Sequence, residues 1–224
     1  MIPDAIMIFA AGFGTRMGAL TRDRPKPLIE VGGVTLLDRM LALAGGIPRK
    51  VVNTHYLGDR IAAHLAGREV AISDEPGEIL DTGGGLKAAL PLLGTGSVFT
   101  ANSDAVFAGP NPFDLLAAAW DPARMEALLL SVPLARAVGR KGGGDFTLAP
   151  DGRLRRGGDA VYAGLQILKT ERVAAWPDRV FSLNRVWDAV AAEGRLFGLS
   201  YPGRWCDVGH PEGIALAEAV LDDV

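Results

Sequence analysis

The apolar positions of this chain fall into short solid runs separated by amphipathic stretches. "AIMIFA" (5–10) is apolar without a break, the pattern of a strand buried on both faces. Residues 35–44 instead set Leu36, Leu37, Met40, Leu41 and Ala44 at helical spacing. The alternation then repeats. Strands are predicted at 50–54, 69–75, 97–104 and 126–134, and helices at 57–65, 86–93 and 112–120. Pro91 is expected to end the helix at 86–93, because proline donates no N–H to a helix ladder. Strand and helix alternating this often imply parallel strands with helical crossovers. The predicted fold class is therefore α/β, a doubly wound, mostly parallel Rossmann-like sheet. Such sheets bind ligands beyond the carboxyl ends of their strands, so post-strand residues carry the interest.

After about residue 135 the pattern changes. Residues 139–168 are glycine-rich, and Asp151-Gly152 between "FTLA" and "RLRR" signals a hairpin. A strand is predicted at 160–168, a helix at 183–194 stopped by Gly194, a strand at 196–201 and a closing helix at 211–223. With no repeat and no low-complexity linker, one domain is expected over 1–224: a first half (1–135), a second half (136–210) and a closing helix (211–224). The second half reads as a lid on the sheet of the first.

The chain is 49% hydrophobic and 22% charged, which excludes disorder. A formal net charge of -3 argues against a polyanion binder, so no nucleic acid partner is expected and any basic function must be local. Cys206 is the single cysteine; disulfides are excluded and a reducing compartment is favoured. His55, His64 and His210 lack zinc spacing. No apolar run nears the ~20 residues of a membrane span and no signal peptide is read, so a cytoplasmic protein without a membrane partner is expected.

Five segments carry candidate chemistry. "AAGFGTRMGALTRDRPKPL" (10–28) ends a strand in a glycine loop with Arg16, Arg22 and Arg24, then holds Lys26 between Pro25 and Pro27. Gly12 and Gly14 let backbone N–H groups approach an anion, and the prolines fix φ around the lysine. Met17 stands where a Rossmann loop wants its third glycine, and no GK[ST] follows, so the two commonest phosphate loops are disfavoured. A solvated surface loop explains a bare GxG pair as well. "ILDTGGGLKAAL" (79–90) sets three glycines before a helix, either a ligand-approach site or a flexible turn. "TANSDAVF" (100–107) and "WCDVGHP" (205–211) each place an aspartate, Asp104 and Asp207, at a strand end, where helix caps and turns also favour aspartate. "GGGDFTL" (142–148) puts Asp145 in a glycine loop, where a solvated turn residue is the plainer reading.

Taken together these segments resemble the sugar-1-phosphate nucleotidylyltransferases, whose signature G-x-G-T-R followed by P-K-P the first segment matches nearly throughout. Within that family, "GGGDF" with "YAG" at 162–164 is most similar to the short N-acetylmuramate alpha-1-phosphate uridylyltransferases. The resemblance implies a nucleotidyltransferase/glycosyltransferase-A type sheet with a small sugar-binding β subregion. The first half would bind nucleotide and 136–210 the sugar. It implies transfer of a nucleoside monophosphate from an NTP, UTP as the best guess, to N-acetylmuramic acid 1-phosphate, with release of pyrophosphate. Arg16 and Lys26 would be catalytic. Ala11, Gly12, Gly14, Thr15, Thr82 and Gly83 would join them around the nucleotide. Asn102, Asp145 and Gly164 would hold the sugar, and Asp104 and Asp207 a Mg²⁺ that keeps waters and phosphate oxygens as its other ligands. The family's E-K-P segment, whose lysine grips the sugar phosphate, is missing; Arg155 and Arg156 are candidates for that role, with an exposed hairpin the plainer reading of both. His55, His64 and Cys206 are expected to be dispensable.

The alternatives are a mannose- or heptose-1-phosphate guanylyltransferase, a phosphocholine cytidylyltransferase with Tyr162 and Trp205 caging the ammonium, and a non-catalytic nucleotide-sugar-binding paralogue. A monomer or homodimer is expected.

Overall fold

The computed structural model describes residues 2–222; the last two residues of the expected closing helix lie outside them. Strands β1 (Ala5–Phe9), β2 (Glu30–Val31), β3 (Val34–Thr35), β4 (Arg49–Thr54), β5 (Ala71–Asp74), β6 (Ser97–Asn102) and β7 (Ala105–Ala108) come from the first part of the chain. They are followed by β8 (Ala127–Pro133), β9 (Ala137–Val138), β10 (Phe146–Leu148), β11 (Leu154–Arg156), β12 (Ala160–Lys169), β13 (Leu196–Ser200) and β14 (Arg204–Asp207). The helices are α1 (Leu36–Leu43), α2 (Gly58–Leu65), α3 (Asp81–Leu93), α4 (Pro112–Ala119), α5 (Thr170–Ala174), α6 (Leu183–Ala192) and α7 (Glu212–Asp222).

The parallel core runs β5-β4-β1-β6. The chain winds outward from β1 to β4 and β5, then crosses back to place β6 on the other side of β1. The carboxyl ends of β1 and β6 therefore flank a switch point. Alternate residues of β1 serve opposite layers. Ile6 and Ile8 pack with Leu37, Met40, Ile61 and Phe113, whereas Ala5 and Met7 pack with Leu86, Ala89, Val173 and Val186. Both faces are thus covered by helices, which is why the strand reads as one apolar run.

The sheet is parallel in its core, as expected, and becomes mixed beyond β6. β12 pairs antiparallel with both β6 and β8, and β8 pairs parallel with β13. The hairpin β10–β11 extends the sheet from β12. The expected lid is therefore wrong: a second-half strand lies in the middle of the sheet. Its Val161, Leu165, Ile167 and Leu168 are fully buried, a demand that only a central strand makes. A smaller sheet, β7-β14-β9, brings the strand ending at Asp207 beside the turn that carries Asp104.

The helix expected at 86–93 is longer at its start and continues through Pro91. Pro91 falls in the last turn, two residues before the helix ends at Leu93, so little ladder is lost. The three glycines lie inside the first turns rather than before the helix. A Cβ on Gly83 would come within 2.3 Å of the Phe181 ring, one on Gly84 within 2.3 Å of the Arg179 carbonyl, and one on Gly85 within 2.6 Å of Glu75 Oε1. Helix and neighbouring chain pack too closely for any side chain. No helix among the described residues is long and apolar enough to cross a membrane.

Candidate active site

A cleft opens where β1 and β6 end. It has two hollows, of about 670 and 340 Å³, that share Phe9, Arg16, Asp81, Thr82, Asn102 and Asp104 as lining. The larger adjoins the glycine loop and the smaller the β10–β12 side.

The loop earns its glycines unequally. Gly14 has φ +63, and a methyl there would stand 3.0 Å from both Lys26 Cβ and Thr21 Cγ2. Glycine is thus required where loop and lysine cross. Met17 is buried with Cys206 and Val208; it anchors the loop to the smaller sheet, the packing reason for a methionine where other loops use glycine. Ala11, Gly12, Gly14, Thr15, Arg16 and Lys26 all line the larger hollow. Arg22 and Arg24 do not face the cleft; Arg24 lines a separate groove with Leu28 and His64. Pro25 is extended, with φ -66 and ψ 145, and Lys26–Leu28 form a single tight turn. That turn buries Lys26 and aims it across the cleft, where its Nζ lies 2.6 Å from Asp104 Oδ2.

Asp104 sits in the turn joining β6 to β7. Ser103 Oγ donates to the Phe9 carbonyl at 2.8 Å and ties that turn to the end of β1. A serine where the resemblance expects glycine thus acts as a fastening. Asp207, the last residue of β14, is held beside it, the Val208 N–H donating to the Asp104 carbonyl at 3.0 Å. Burial, with the neighbouring Asp104 carboxylate, raises the Asp207 carboxyl above its ordinary range; Lys26, Arg16 and Arg140 partly oppose this. Among the described residues no three His, Cys, Asp or Glu side chains cluster around a metal position. Two facing carboxylates in an open, cation-lined cleft still fit a hard divalent ion that takes its remaining ligands from water and phosphate.

The smaller hollow holds the expected sugar residues. Gly164 has φ +86 at an irregularity in the β12–β8 register, and an added Cβ would lie 3.1 Å from Asn102 Cβ. Asn102 therefore lies directly over the glycine. Asp145 lines the hollow with both oxygens engaged, Oδ1 accepting from Arg140 at 2.8 Å and Oδ2 from the Tyr162 N–H at 2.9 Å. Thr82 also faces the cleft, its Oγ1 accepting from the Leu183 N–H at 3.0 Å. Gly83 lies behind it, outside both hollows, with its N–H on the Phe181 carbonyl at 2.8 Å.

Several cleft residues escaped the sequence. Arg140 lines the hollow beside Asp207, placed there by the pairing of the two-residue strand β9 with β14. Its Nε is buried without a hydrogen-bond partner. Asp81 lies between the hollows with φ +59, a conformation that costs a non-glycine residue about 1 kcal/mol and that no local pattern announces. Trp187, from α6, meets Tyr162 edge-on at 4.8 Å and Phe146 at 6.0 Å. Arg156 covers the faces of Phe146 and Trp187, so this aromatic group already has a cation; Trp205 is tied away by its Nε1–H to the Ala163 carbonyl. Neither leaves a cage for a quaternary ammonium. Arg155 does not line the cleft, and Cys206 is fully buried in the core below it.

Residues 6–177, which carry the glycine loop, Lys26, Asp104 and β12, match the MobA-like NTP transferase domain. The chain belongs to that family. It is 44% identical to an N-acetylmuramate alpha-1-phosphate uridylyltransferase of Caulobacter vibrioides, over 98% of this chain and 97% of that protein. It is 32% identical to the enzyme of the same name from Neisseria meningitidis, over 91% and 92%. The fold is also that of HddC from Yersinia pseudotuberculosis, with a TM-score of 0.77 at 21% identity, over 98% of this chain and 99% of that one.

Proposed function

We propose that this protein transfers UMP from UTP to N-acetylmuramic acid 1-phosphate, giving the UDP-sugar and pyrophosphate, with Mg²⁺ as the metal. The observation that carries the reading is the convergence of Lys26, Arg16, Asp104 and Asp207 where the two hollows meet. The uridylyltransferases of 44% and 32% identity support the choice of substrates.

The chemistry asks little of proton transfer. A sugar 1-phosphate oxygen is already anionic at neutral pH, so a site without a general base suffices. Binding and charge neutralisation do the rest. The larger hollow takes the nucleotide, with backbone N–H groups of the loop, Arg16 and Lys26 toward the triphosphate. The smaller takes the acceptor. Arg140, beside Asp207, is placed to hold the acceptor's phosphate, the role that the missing E-K-P lysine leaves open. Asp145 keeps the Arg140 guanidinium aimed there. The attacking oxygen then approaches opposite the pyrophosphate leaving group. Asp104 and Asp207 would hold Mg²⁺, which supplies charge neutralisation at the α-phosphoryl group. The single, buried Cys206 agrees with a reducing, cytoplasmic setting, and the acceptor with salvage of cell-wall sugars.

The deciding experiment is pyrophosphate release from each NTP against a panel of sugar 1-phosphates, with Mg²⁺ and with EDTA. UTP with N-acetylmuramic acid 1-phosphate should be the best pair, silent in EDTA. A guanylyl preference for a mannose or heptose phosphate would replace the reading, and silence with every pair would favour a non-catalytic binder.

A further inference from the structure

The smaller hollow carries cations at both ends. Arg16 and Arg140 stand at the Asp207 end, where both act on its carboxyl. Arg156 stands at the other, on the edge hairpin opposite Phe146. It is held rather than free. Its guanidinium lies 4.7 Å over the Phe146 ring and 5.7 Å from that of Trp187, Nε donates to Asp188 Oδ1 at 2.7 Å, and Nη2 donates to the Asn184 carbonyl at 3.0 Å. Those bonds use two of its five N–H groups and fix the plane of the fork.

A neutral sugar gives no reason to fix a cation there, since hydroxyls are served by amides, carboxylates and backbone groups. The planar fork of arginine matches a carboxylate or phosphate. The single phosphate of the acceptor is already accounted for at the other end. We propose that Arg156 reads a second anionic group on the acceptor, a carboxylate, and so makes the far end of the cleft select sugar 1-phosphates that bear one. This rests on the acceptor reading above, and N-acetylmuramic acid has such a group in its lactyl ether. Asp188 and the two rings are positioning partners that hold the fork in place.

The test compares Arg156→Gln and Arg156→Lys with the unaltered protein, in Mg²⁺. Calorimetry reads binding of UDP-N-acetylmuramic acid and of UDP-N-acetylglucosamine, which lacks the carboxylate. Initial rates read the corresponding sugar 1-phosphates with UTP. Arg156→Gln should weaken the carboxylate-bearing ligand and lower its kcat/KM by about 10- to 100-fold, while the other compound shifts less than about threefold, the effect of losing one charge-assisted contact. Arg156→Lys keeps the charge but not the fork and should recover only part of the loss. Equal losses on both compounds, or no loss on either, overturn the proposal while leaving the uridylyltransferase reading intact. An unaltered protein that neither binds nor turns over either compound overturns that reading, and this inference with it.

Discussion

The wall of the smaller hollow hangs on one buried polar chain, and breaking it gives a prediction whose size can be worked from the structure. Gln166, in the centre of β12, is fully buried. Its Oε1 accepts from Trp187 Nε1–H at 2.8 Å and its Nε2 donates to Thr100 Oγ1 at 3.0 Å. The Tyr162 hydroxyl lies near Thr100, and burial raises its pKa above the ordinary tyrosine range. Gln166→Leu fills nearly the same volume but supplies neither bond. The buried indole N–H is left without a partner. A buried donor left unsatisfied costs about 1–3 kcal/mol, and with the second bond the loss comes to about 2–4 kcal/mol. At roughly 2 °C or more per kcal/mol for a chain of this size, Tm should fall by at least about 4 °C.

Trp187→Phe removes the donor and leaves Gln166 Oε1 alone, so it should cost a comparable amount. The double variant leaves neither orphan, and its loss should be smaller than the sum of the singles by about 1–2 kcal/mol. Urea melts of the four proteins measure this. Because Trp187 walls the smaller hollow, Gln166→Leu should also raise KM for the sugar phosphate while leaving that for the NTP. Additive losses, or a Gln166→Leu shift under about 0.5 kcal/mol, would refute the view that this chain braces the wall of the smaller hollow.

Lys26→Ala, Asp104→Ala and Asp207→Ala should each cut turnover by about a hundredfold or more while remaining folded, as loss of a transition-state charge contact does; near-normal rates in all three would sink the assignment of chemistry to this junction. Gly14→Ala and Gly164→Ala each place a methyl at positive φ, costing about 1–3 kcal/mol, but against Lys26 in one case and Asn102 in the other. The first should raise KM chiefly for the NTP and the second chiefly for the sugar phosphate, and steady-state kinetics showing the reverse would overturn the division of the cleft. Glu126 accepts from Arg172 at 2.6 and 3.0 Å, which holds its carboxyl below the ordinary 4.5. Its contribution to stability is thus present above 4.5 and lost as pH falls through the lowered value. Glu126→Gln should flatten the acid limb of Tm against pH, and an unchanged limb would count against the pair.

The parallel core was legible because β1 is buried on both faces and reads as a solid apolar run, and shorter strand and helix patterns alternate after it. The conformation of the glycine loop was legible because Gly14, Lys26 and the flanking prolines answer to local backbone demands. What the sequence concealed depends on pairing between distant segments. β12 has the apolar content of a parallel strand, and nothing in it states that its neighbours run the other way. Arg140 reaches the cleft through a two-residue strand whose partner lies far along the chain. The three glycines of α3 look like a ligand loop because close approach has one signature, whether the approaching group is a substrate or Phe181.

The Lys26–Asp104 pair links these observations to turnover. Burial and, after it, repulsion from the neighbouring Asp104 carboxylate raise the Asp207 carboxyl above its ordinary range. Lys26 on Asp104, with Arg16 and Arg140 near Asp207, supplies the balancing charge when the cleft holds no substrate. A triphosphate offers Lys26 a denser anion than one carboxylate, and a divalent cation offers Asp104 more than one ammonium. Both partners therefore improve their electrostatic contacts by separating, provided nucleotide and metal arrive together. Either one alone leaves an unmatched partly buried charge, which is costly. Nucleotide and Mg²⁺ should accordingly bind with positive coupling in calorimetric titrations. Lys26→Met removes the internal counter-ion, so it should strengthen metal binding without nucleotide and diminish the coupling; a coupling unchanged in that variant would show that the ion pair plays no part in loading the site.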